Sequence, residues 1–483
     1  MRLIPAVSME TIAPILVGSE WRETPTRQAV TNPFTDTPIA EVCLARSQDV
    51  EEAVTLSLQA FAGLARSSSH ARATALQHVA VKLKEHKEDF AQTICLEAGK
   101  PITDARREVD RAIQTFSIAC EEAKRIPGEV IPMDISPGME HHLGLGQRVP
   151  IGPVLCITPF NFPLNLVAHK VAPCLAVGNP ILLKPAPQTP LTALRLGRLF
   201  QELDLPEGTL SILPCENALA ESMVRDPRIQ ALSFTGSAAV GWSLKDKAGK
   251  KRVLLELGGN AAVIIEPDAD LHLAAQRCVA GGFAYSGQTC ISVQRIYLHD
   301  DVYDAFLDRL IPLVEALPAG NPAGDATVVG PLIDERSAIR VETWIREAVQ
   351  QGARLRTGGT RERAVIRPAV LTDVDQRMKL SCEEVFGPVI TLSRYQQLDQ
   401  AFDMVNDSPY GLQAGIFTRN VDSIFRAYQA LDVGTVLANE IPTFRADHMP
   451  YGGMKDSGLG REGVKYAVQE LSDQKLLVLH LSP

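Results

Sequence analysis

The sequence lacks the features that indicate a metal site, a disulfide framework, a membrane span or a nucleic-acid surface. Its nine cysteines are scattered and include no Cys-x-x-Cys pair, which argues against a zinc ribbon and for a reducing compartment. No His-x-x-x-His pair beside an acidic residue occurs among its ten histidines, so no metal is expected. No apolar run reaches the ~18 residues of a transmembrane helix. The net charge is −9, with no basic block, so neither a membrane nor a nucleic acid is an expected partner.

The amino terminus also lacks the pattern of a signal peptide. Met1 to Gly18 is mildly apolar, but Arg2, Pro5, Glu10 and Pro14 interrupt it and no small-residue cleavage site follows. A segment of this kind is not expected to direct secretion. Together with the unpaired cysteines, it indicates a cytoplasmic protein.

What the sequence contains is an α/β pattern long enough for two or three lobes. The chain has 483 residues, more than one hydrophobic core usually serves. Helical spacing dominates residues 47–125, whereas the prolines of residues 126–150 predict strands and turns. From residue 154 to residue 256, short apolar strands alternate with helices, which is typical of a parallel sheet covered on both faces.

The second half of the chain repeats this alternation. Residues 260–440 predict a second α/β lobe, with strands such as 263–265 and 369–371 and helices such as 335–351. The tail from Gln469 is an apolar strand with nothing after it to pair with. Such a strand is an open edge that another subunit could cover.

One stretch, Gly281 to Ser292, has the character of a nucleophile loop. Small residues precede Cys290, and they would let the backbone approach a bound molecule closely. A buried cysteine packed as a small hydrophobic residue is the common alternative. Glu256 and Asn161 favour the functional interpretation, because a thiol, a carboxylate and an amide are the groups that acyl-thioester chemistry requires.

Three further segments suit a dinucleotide. Phe234 to Gly241 is a strand end, a Gly-Ser turn and a helix start, an arrangement that favours a pyrophosphate. Lys184 ends a predicted strand on the side of the sheet where ligands of open α/β folds bind. Glu384 and Phe386 lie before another strand. Taken singly, each has an ordinary alternative: a plain strand-to-helix turn, a solvated lysine, or carboxylates in water. The G-x-G-x-x-G match at 458–463 is rejected because no apolar strand precedes it.

In combination these residues resemble the NAD(P)-dependent aldehyde dehydrogenase superfamily. The resemblance runs from about Trp21 to about Gly463, and Glu256 precedes Cys290 by 34 positions, as in the hydrolytic members. The motifs that carry it are Pro159-Phe160-Asn161-Phe162-Pro163, Lys184-Pro185-Ala186, Phe234-Thr235-Gly236-Ser237, Glu256-Leu257-Gly258-Gly259, Gly287-Gln288-Thr289-Cys290, Glu384-Val385-Phe386-Gly387-Pro388 and Pro450-Tyr451-Gly452-Gly453.

The resemblance implies a fold and an assembly. It implies a Rossmann-like parallel-sheet cofactor domain from residues 1–125 and 146–258, and an α/β catalytic domain from residues 259–456. Residues 126–145 and 466–483 would form a small β element for oligomerisation, in a homodimer or a homotetramer.

The resemblance also implies a mechanism. Cys290 would attack an aldehyde and form a thiohemiacetal, with the oxyanion held by the Asn161 amide and the Cys290 backbone N–H. Glu256 would then activate the water that hydrolyses the resulting thioester. Lys170 is a lesser candidate for tuning the thiol or relaying a proton.

The cofactor implied is NAD or NADP. Pro187 stands where many NAD-preferring relatives carry an acidic residue, which permits a 2′-phosphate, whereas Glu216 could restore a preference for NAD. The preference therefore stays open. The residues implied to bind the cofactor are Ile157, Phe160, Lys184, Gly236, Ser237, Glu384 and Phe386.

The substrate is expected to be a small polar aldehyde, either lactaldehyde-like or a semialdehyde. His169 and Arg445 would hold its anionic or hydroxylated end, although Arg445 could equally point to solvent. Phe162 and Ile291 are expected along the tunnel, together with Tyr285, Thr289, Phe444 and His448. Two other functions stay open: a cysteine esterase without redox chemistry, and a catalytically silent binding protein.

Overall fold

A computed structural model describes residues 11–481 of the chain. The interpretation of Met1–Gly18 as no signal peptide falls partly on residues 1–10, outside the described residues. Positions 482–483 of the predicted oligomerisation element also lie outside them. Within residues 11–481, no helix is long and apolar enough to cross a membrane.

The described chain alternates strands and helices along most of its length. The strands are β1 (Ile12–Ala13), β2 (Ile15–Val17), β3 (Glu20–Arg22), β4 (Arg27–Asn32), β5 (Thr37–Cys43), β6 (Gly128–Pro132), β7 (His142–Pro150), β8 (Val154–Ile157), β9 (Ile181–Lys184), β10 (Leu210–Ile212), β11 (Ala231–Thr235), β12 (Arg252–Glu256), β13 (Ala261–Ile265), β14 (Val293–His299), β15 (Arg354–Thr357), β16 (Arg361–Glu362), β17 (Val365–Ile366), β18 (Ala369–Thr372), β19 (Val389–Tyr395), β20 (Tyr410–Gly411), β21 (Gln413–Phe417), β22 (Thr435–Ala438), β23 (Met454–Lys455), β24 (Gly458–Leu459) and β25 (Ser472–His480). The helices are α1 (Ser47–Leu64), α2 (Ser69–Glu85), α3 (Lys87–Ala98), α4 (Ile102–Lys124), α5 (Asn165–Val177), α6 (Leu191–Phe200), α7 (Asn217–Arg225), α8 (Ala238–Lys247), α9 (Leu271–Phe283), α10 (Tyr303–Glu315), α11 (Glu335–Gln350), α12 (Lys379–Cys382), α13 (Leu398–Asn406), α14 (Val421–Ala430) and α15 (Val464–Glu470).

The first large sheet has eight strands in the order β24-β12-β11-β8-β9-β10-β2-β3. The five strands from β12 to β10 are parallel, and antiparallel pairs continue the sheet at both ends. The carboxyl ends of β8, β9, β11 and β12 therefore meet at one edge, where open α/β sheets bind their ligands. Asn161, Lys184, Gly236 and Glu256 all lie at or just after these ends.

The second large sheet has seven strands in the order β15-β18-β19-β14-β13-β21-β22. All are parallel except β15, which pairs with β18 in the antiparallel sense. The chain passes from β12 to β13 through only four residues, Leu257 to Asn260. The carboxyl edge of the first sheet therefore lies close to the amino edge of the second. These two sheets confirm the predicted fold class, a Rossmann-like sheet plus a second α/β lobe.

Helices α2 to α5 cover one face of the first sheet, and their apolar residues share one core. Leu76, Val79, Val109 and Phe116 are each under 1% exposed within it. Burying side chains of this kind contributes roughly 1.5–3 kcal/mol each. Helix α3 stops at Gly99, whose φ of +65° makes it a left-handed cap. The turn that follows carries Lys100 into the core.

A smaller sheet is formed by β25, β7 and β6. The prediction left the carboxyl-terminal strand without a partner, and the structure pairs it antiparallel with the earlier β7 along its whole length. Its other edge is open in the described part of the chain. Leu476 and Leu477 on this strand are 48% and 53% exposed. The predicted element ended at residue 145, whereas β7 continues to Pro150.

Other element boundaries differ slightly from the predicted ones. The helix start predicted within Phe234–Gly241 lies at Ala238. Helices α13 and α14 and the β1-β5-β4 sheet were not predicted. The division into domains stays a prediction, although the strands of the seven-stranded sheet all fall within residues 259–456.

Candidate active site

The three predicted catalytic side chains line one cavity of about 570 Å³ between the two large sheets. Asn161 follows β8, Glu256 ends β12, and Cys290 lies just before β14. The carboxyl edge of one sheet thus supplies the amide and the carboxylate. The amino edge of the other sheet supplies the sulfur.

Cys290 is carried by a strained turn. Tyr285 and Ser286 have φ values of +48° and +56°, and Gly287 follows with +69°. Left-handed conformations cost free energy for residues other than glycine. The turn is held by its contacts, because Ser286 Oγ donates to the carbonyl of Gly330 at 2.7 Å and Gln288 Oε1 accepts from the backbone N–H of Ile333 at 2.9 Å. These contacts therefore hold the turn in its strained conformation and fix the position of the Cys290 sulfur.

The sulfur of Cys290 has one polar side-chain neighbour at hydrogen-bonding distance, the hydroxyl of Tyr451 at 3.1 Å. Burial raises the pKa of the Cys290 thiol to about 12, and the Tyr451 hydroxyl acts in the opposite direction. The thiol of the protein alone is therefore protonated at neutral pH. Removing its proton requires a base or a change in the surroundings.

Asn161 holds its amide at the cavity wall. Its Nδ2 donates to the carbonyl of Gln288 at 3.0 Å, while its Oδ1 is buried without a partner. An amide nitrogen carries two hydrogens. One is used by Gln288, and the other remains for a substrate oxygen.

Glu256 is the carboxylate of the site with the fewest hydrogen-bond partners. Both of its oxygens are buried and have no hydrogen-bond partner in the described part of the chain. Burial, followed by repulsion from Glu462, raises the pKa of the Glu256 carboxyl well above its usual range. A carboxyl in this state suits proton transfer near neutral pH.

Three buried charged side chains near Glu256 are linked by hydrogen bonds: Lys170, Glu462 and Arg445. Lys170 Nζ donates to Glu462 at 3.1 Å and to the hydroxyl of Ser233 at 3.0 Å. Arg445 Nη2 donates to the other oxygen of Glu462 at 2.9 Å. Burial opposes the charge of Glu462, but Lys170 and Arg445 more than offset it and lower its pKa. Lys170 is therefore tied to Glu462, and its predicted effect on the thiol would have to pass through that carboxylate.

One end of the cavity has the features of a pyrophosphate site. Gly236 and Ser237 line it, and α8 begins directly after them, with no side chain capping its first N–H groups. Thr235 Oγ1 is buried there without a partner. A Cβ atom at Gly236 would stand 2.6 Å from the Phe234 ring, so only glycine fits. Free helical N–H groups and an unpaired hydroxyl suit a phosphate.

Glu384 and Phe386 lie on the opposite wall of the same cavity. Glu384 Oε1 accepts from the backbone N–H of Gly259 at 3.0 Å, and burial raises its pKa to about 7. The Phe386 ring meets Phe160 edge to face, with centroids 5.8 Å apart. A carboxylate beside two aromatic rings suits a ribose and a flat ring, so the residues present fit a nicotinamide dinucleotide.

Two of the predicted cofactor-binding residues do not line this cavity. Ile157 is buried in the core of the first sheet. Lys184 is 5% exposed at the end of β9, and burial lowers its pKa. The described residues that line the cavity include neither of them. Both stay predictions for parts of the cofactor that lie beyond the cavity.

The substrate end contains most of the predicted residues. Phe162, Ile291 and Arg445 line the cavity. The side chain of Arg445 is 6% exposed and lies over the Tyr451 ring, with Cζ 3.7 Å from the centroid. The alternative in which Arg445 points to solvent is therefore wrong. Its Nε is buried without a partner.

His169 does not reach the cavity, contrary to the prediction. Its side chain is fully buried, its Nε2 lies 2.8 Å from Asp447 Oδ1, and the described cavity-lining residues do not include it. Burial lowers the pKa of His169. The difference has a physical cause: His169 lies one turn further along α5 than Asn165, which lines the cavity, and its ring is turned to Asp447 in the protein interior.

Sequence reasoning also missed residues of the site. Arg111 on α4 lines the cavity, and Lys100 Nζ lies 3.6 Å from the Phe162 centroid. Tyr451 was read only as part of a motif. Arg111 is one of several charged residues on an amphipathic helix, so no sequence signal separates it from a solvated arginine.

Comparison with known proteins gives one consistent result. Residues 21–477 match the model of the Aldehyde dehydrogenase family. A 3-sulfolactaldehyde dehydrogenase from Priestia megaterium is 42% identical over 468 residues, covering 97% of this chain and 98% of the relative.

Solved structures agree with that match. Aldehyde dehydrogenase 21 from Physcomitrella patens, in complex with the reaction product succinate, is 43% identical with a TM-score of 0.95, covering 98% of this chain and 99% of that one. An NADP-dependent glyceraldehyde-3-phosphate dehydrogenase from Bacillus halodurans, complexed with NADP, is 34% identical with a TM-score of 0.96, covering 98% and 100%.

Proposed function

The chain belongs to the aldehyde dehydrogenase family, and we propose that it oxidises a short aldehyde bearing an anionic group to the carboxylate. It is an oxidoreductase that uses NAD+ or NADP+. The observation that carries the substrate proposal is Arg445 Nε, a buried donor that has no partner among residues 11–481 and lies on the wall of the cavity that holds Cys290.

The first half of the proposed mechanism forms a covalent bond to sulfur. The Cys290 thiolate attacks the aldehyde carbon and gives a thiohemiacetal. The free hydrogen of the Asn161 amide and the Cys290 backbone N–H stabilise the oxyanion, which exists only after attack. Because the thiol pKa is about 12 in the protein alone, attack requires that the thiol first lose its proton to solvent.

The second half releases the acid. Bound NAD(P)+ supplies the acceptor for the hydride that the thiohemiacetal loses, which leaves a thioester on Cys290. Glu256 takes a proton from a water molecule, the water oxygen attacks the thioester carbonyl, and the carboxylic product departs as sulfur leaves. The two unpartnered oxygens of Glu256 support this assignment, because both are left to accept a hydrogen bond from water.

Two guanidinium groups support an anionic substrate. Arg111 and Arg445 line the cavity, and each is held by one buried carboxylate, Asp447 for Arg111 and Glu462 for Arg445. A guanidinium has five N–H donors, so each keeps donors for a further anion. A buried donor left unsatisfied costs about 1–3 kcal/mol, and a sulfonate or carboxylate oxygen at Arg445 Nε would recover that cost.

The size of the site supports a short substrate. Tyr451 contacts both the Cys290 sulfur, through its hydroxyl, and the Arg445 guanidinium, through its ring. A molecule that reaches both must span little more than one aromatic ring. The Priestia megaterium relative is a 3-sulfolactaldehyde dehydrogenase and the reaction product bound to the Physcomitrella patens enzyme is succinate, both short anionic molecules that fit that span.

Steady-state kinetics test this proposal. The rate of NAD(P)H formation is measured with 3-sulfolactaldehyde, succinic semialdehyde, lactaldehyde and propanal, each with NAD+ and NADP+. We expect kcat/KM to be at least about tenfold higher for the two anionic aldehydes than for propanal, since charge-assisted hydrogen bonds contribute roughly 1.5–3 kcal/mol. Equal values, or a preference for propanal, would contradict the anionic substrate but not the oxidoreductase activity.

The exposed carboxyl-terminal strand supports self-association as a homodimer or homotetramer. The edge of β25 and the apolar residues Leu476 to Leu479 are open, and an uncovered apolar edge tends to pair with another chain. Light scattering after size exclusion gives the mass, and Leu477→Lys is expected to shift it towards the monomer. An unchanged mass for that variant would argue that another surface carries the assembly.

The nine cysteines all lie within the described residues and are free, which supports the proposed location in the cytoplasm. The proposed domains are residues 1–125 with 146–258, residues 259–456, and the β element of residues 126–145 with 466–483. Limited proteolysis would test these boundaries, because cleavage is expected first in exposed connections between domains.

A further inference from the structure

A buried carboxylate outside the proposed chemistry connects the two lobes beside the substrate cavity. Asp447 lies in the loop after β22, and its side chain is 2% exposed. It contacts α4 through Arg111, and α5 through Asn165 and His169. It is too enclosed to contact a substrate itself, and the proposed acyl transfer and hydrolysis do not use it.

Asp447 holds Arg111 by one edge of the guanidinium. Arg111 Nε lies 3.1 Å from Oδ2, and Nη2 lies 2.7 Å from Oδ1. Nη1 makes no hydrogen bond to any of the residues 11–481. Because a guanidinium is a planar fork, fixing the Nε–Nη2 edge also fixes the direction of Nη1.

The other partners fix the carboxylate in turn. Oδ1 accepts from Asn165 Nδ2 at 3.2 Å and lies 2.8 Å from His169 Nε2. Burial opposes the charge of Asp447, but His169 and Arg111 more than offset it and hold its pKa well below the usual range. The carboxylate is therefore both ionised and immobile. His169, predicted to contact the substrate, acts instead on the residue that holds Arg111.

We infer that Asp447 is a positioning residue for substrate charge, holding Arg111 so that its free Nη1 edge is presented to the anionic group of the aldehyde. This inference rests on the proposed function. Asp447 would thereby set the preference for anionic over neutral aldehydes without touching either.

A neighbouring ion pair on α4 provides a matched comparison. Arg107 and Asp104 also line the cavity, but the Arg107 side chain is 77% exposed and Asp104, 3.0 Å away, belongs to the same helix. An exposed pair within one helix contributes little to the position of the arginine. Asp104→Asn is therefore the control for loss of a carboxylate beside a cavity arginine.

The test is a double-mutant cycle with two substrates. KM and kcat are measured for succinic semialdehyde and for a neutral aldehyde of the same chain length, butanal. The proteins are the wild type, Asp447→Asn, Arg111→Met, the double variant and Asp104→Asn. We expect Asp447→Asn and Arg111→Met each to raise KM for the anion about tenfold or more. The rise in KM should be smaller for butanal than for succinic semialdehyde, and Asp104→Asn should not raise KM for either aldehyde.

Non-additivity is the decisive outcome. If Asp447 acts through Arg111, the double variant has the same KM for the anion as Arg111→Met alone. Additive effects, or an equal loss with butanal and with succinic semialdehyde, would overturn the inference. Isothermal titration with ethanesulfonate gives a readout without turnover, in which Asp447→Asn should weaken binding as Arg111→Met does.

The two proposals fail in different ways. If the wild type does not prefer the anionic aldehyde, the proposed function is contradicted. If it does, and Arg111→Met abolishes the preference while Asp447→Asn keeps it, only the inference about Asp447 is overturned. Should Asp447→Asn not fold, Asp447→Glu is measured in its place. The longer side chain should displace Arg111 and reduce the preference, and an unchanged preference would again refute the positioning role.

Discussion

The hydroxyl oxygen of Tyr451 lies 3.1 Å from the sulfur of Cys290. Tyr451 is 1% exposed, and reciprocal backbone hydrogen bonds with Glu462, at 3.0 and 2.7 Å, hold it in place. Its ring also carries the guanidinium of Arg445. The tyrosine thus joins Cys290 to the buried charges of Arg445 and Glu462.

Tyr451→Phe is expected to make the thiol less acidic. A hydrogen bond to the charged sulfur is worth about 1.5–3 kcal/mol, and its loss should raise the Cys290 pKa above its present value of about 12. Alkylation by iodoacetamide, measured from pH 7 to pH 10, should be about tenfold slower at each pH, since one pKa unit corresponds to 1.36 kcal/mol. Cys290→Ala gives the background rate from the other cysteines. An unchanged alkylation rate would mean that the contact does not stabilise the thiolate.

Glu256→Gln is expected to separate the two halves of the reaction. Gln keeps the shape of the side chain but cannot take a proton from water, so the thioester on Cys290 should accumulate. Rapid mixing should show a burst of NAD(P)H close to one equivalent, followed by turnover at least about 100-fold slower, in line with the loss of a general base. Mass spectrometry of the quenched protein should show the acyl adduct. Wild-type turnover without an adduct would refute the assignment.

Glu462→Gln is expected to shift the pH dependence of hydrolysis. Repulsion from Glu462 contributes to the raised pKa of Glu256. Removing that charge should lower the Glu256 pKa, so the active carboxylate form should appear at lower pH. The rising limb of the pH profile for thioester hydrolysis should therefore move to lower pH. A shift to higher pH would show that loss of the fixed positions of Lys170 and Arg445 outweighs the lost repulsion.

Pro187→Glu is expected to favour NAD over NADP. Pro187 is exposed just after Lys184, and its carbonyl accepts a hydrogen bond from Gln28 at 3.2 Å. A carboxylate there would repel a 2′-phosphate by about 1 kcal/mol or more at close range. The ratio of kcat/KM for NADP+ to that for NAD+ should fall about tenfold, with Pro187→Gln as the uncharged control. Equal changes in both variants would assign the effect to loss of the proline.

The parts of the site that sequence predicted are those attached to the ends of regular elements. Asn161, Gly236 and Glu256 follow strands of a parallel sheet, so their convergence on one edge follows from topology. The edge at which parallel strands end can be predicted without knowing how their side chains pack. The same reasoning placed Cys290 before a strand of the second sheet.

The parts that sequence did not predict lie on loops or on the less obvious faces of helices. Asp447 and Tyr451 belong to an irregular segment after β22, where no periodicity constrains a side chain. Arg111 lines the cavity, and its hydrogen-bond partner Asp447 is 336 positions away along the chain. His169 was assigned to the substrate because its polar side chain was considered without its burial in the protein interior. Contacts of this kind depend on how the two lobes pack against each other, and local sequence periodicity does not determine that packing.

The four-residue connection between β12 and β13 has a consequence for how the enzyme can move. A Cβ atom at Gly258 would collide with the carboxylate of Glu384, and one at Gly259 with the backbone carbonyl of Cys290. Glu256, Glu384 and Cys290 therefore all abut a single tetrapeptide. A rotation of one lobe against the other about this tetrapeptide would move all three residues together.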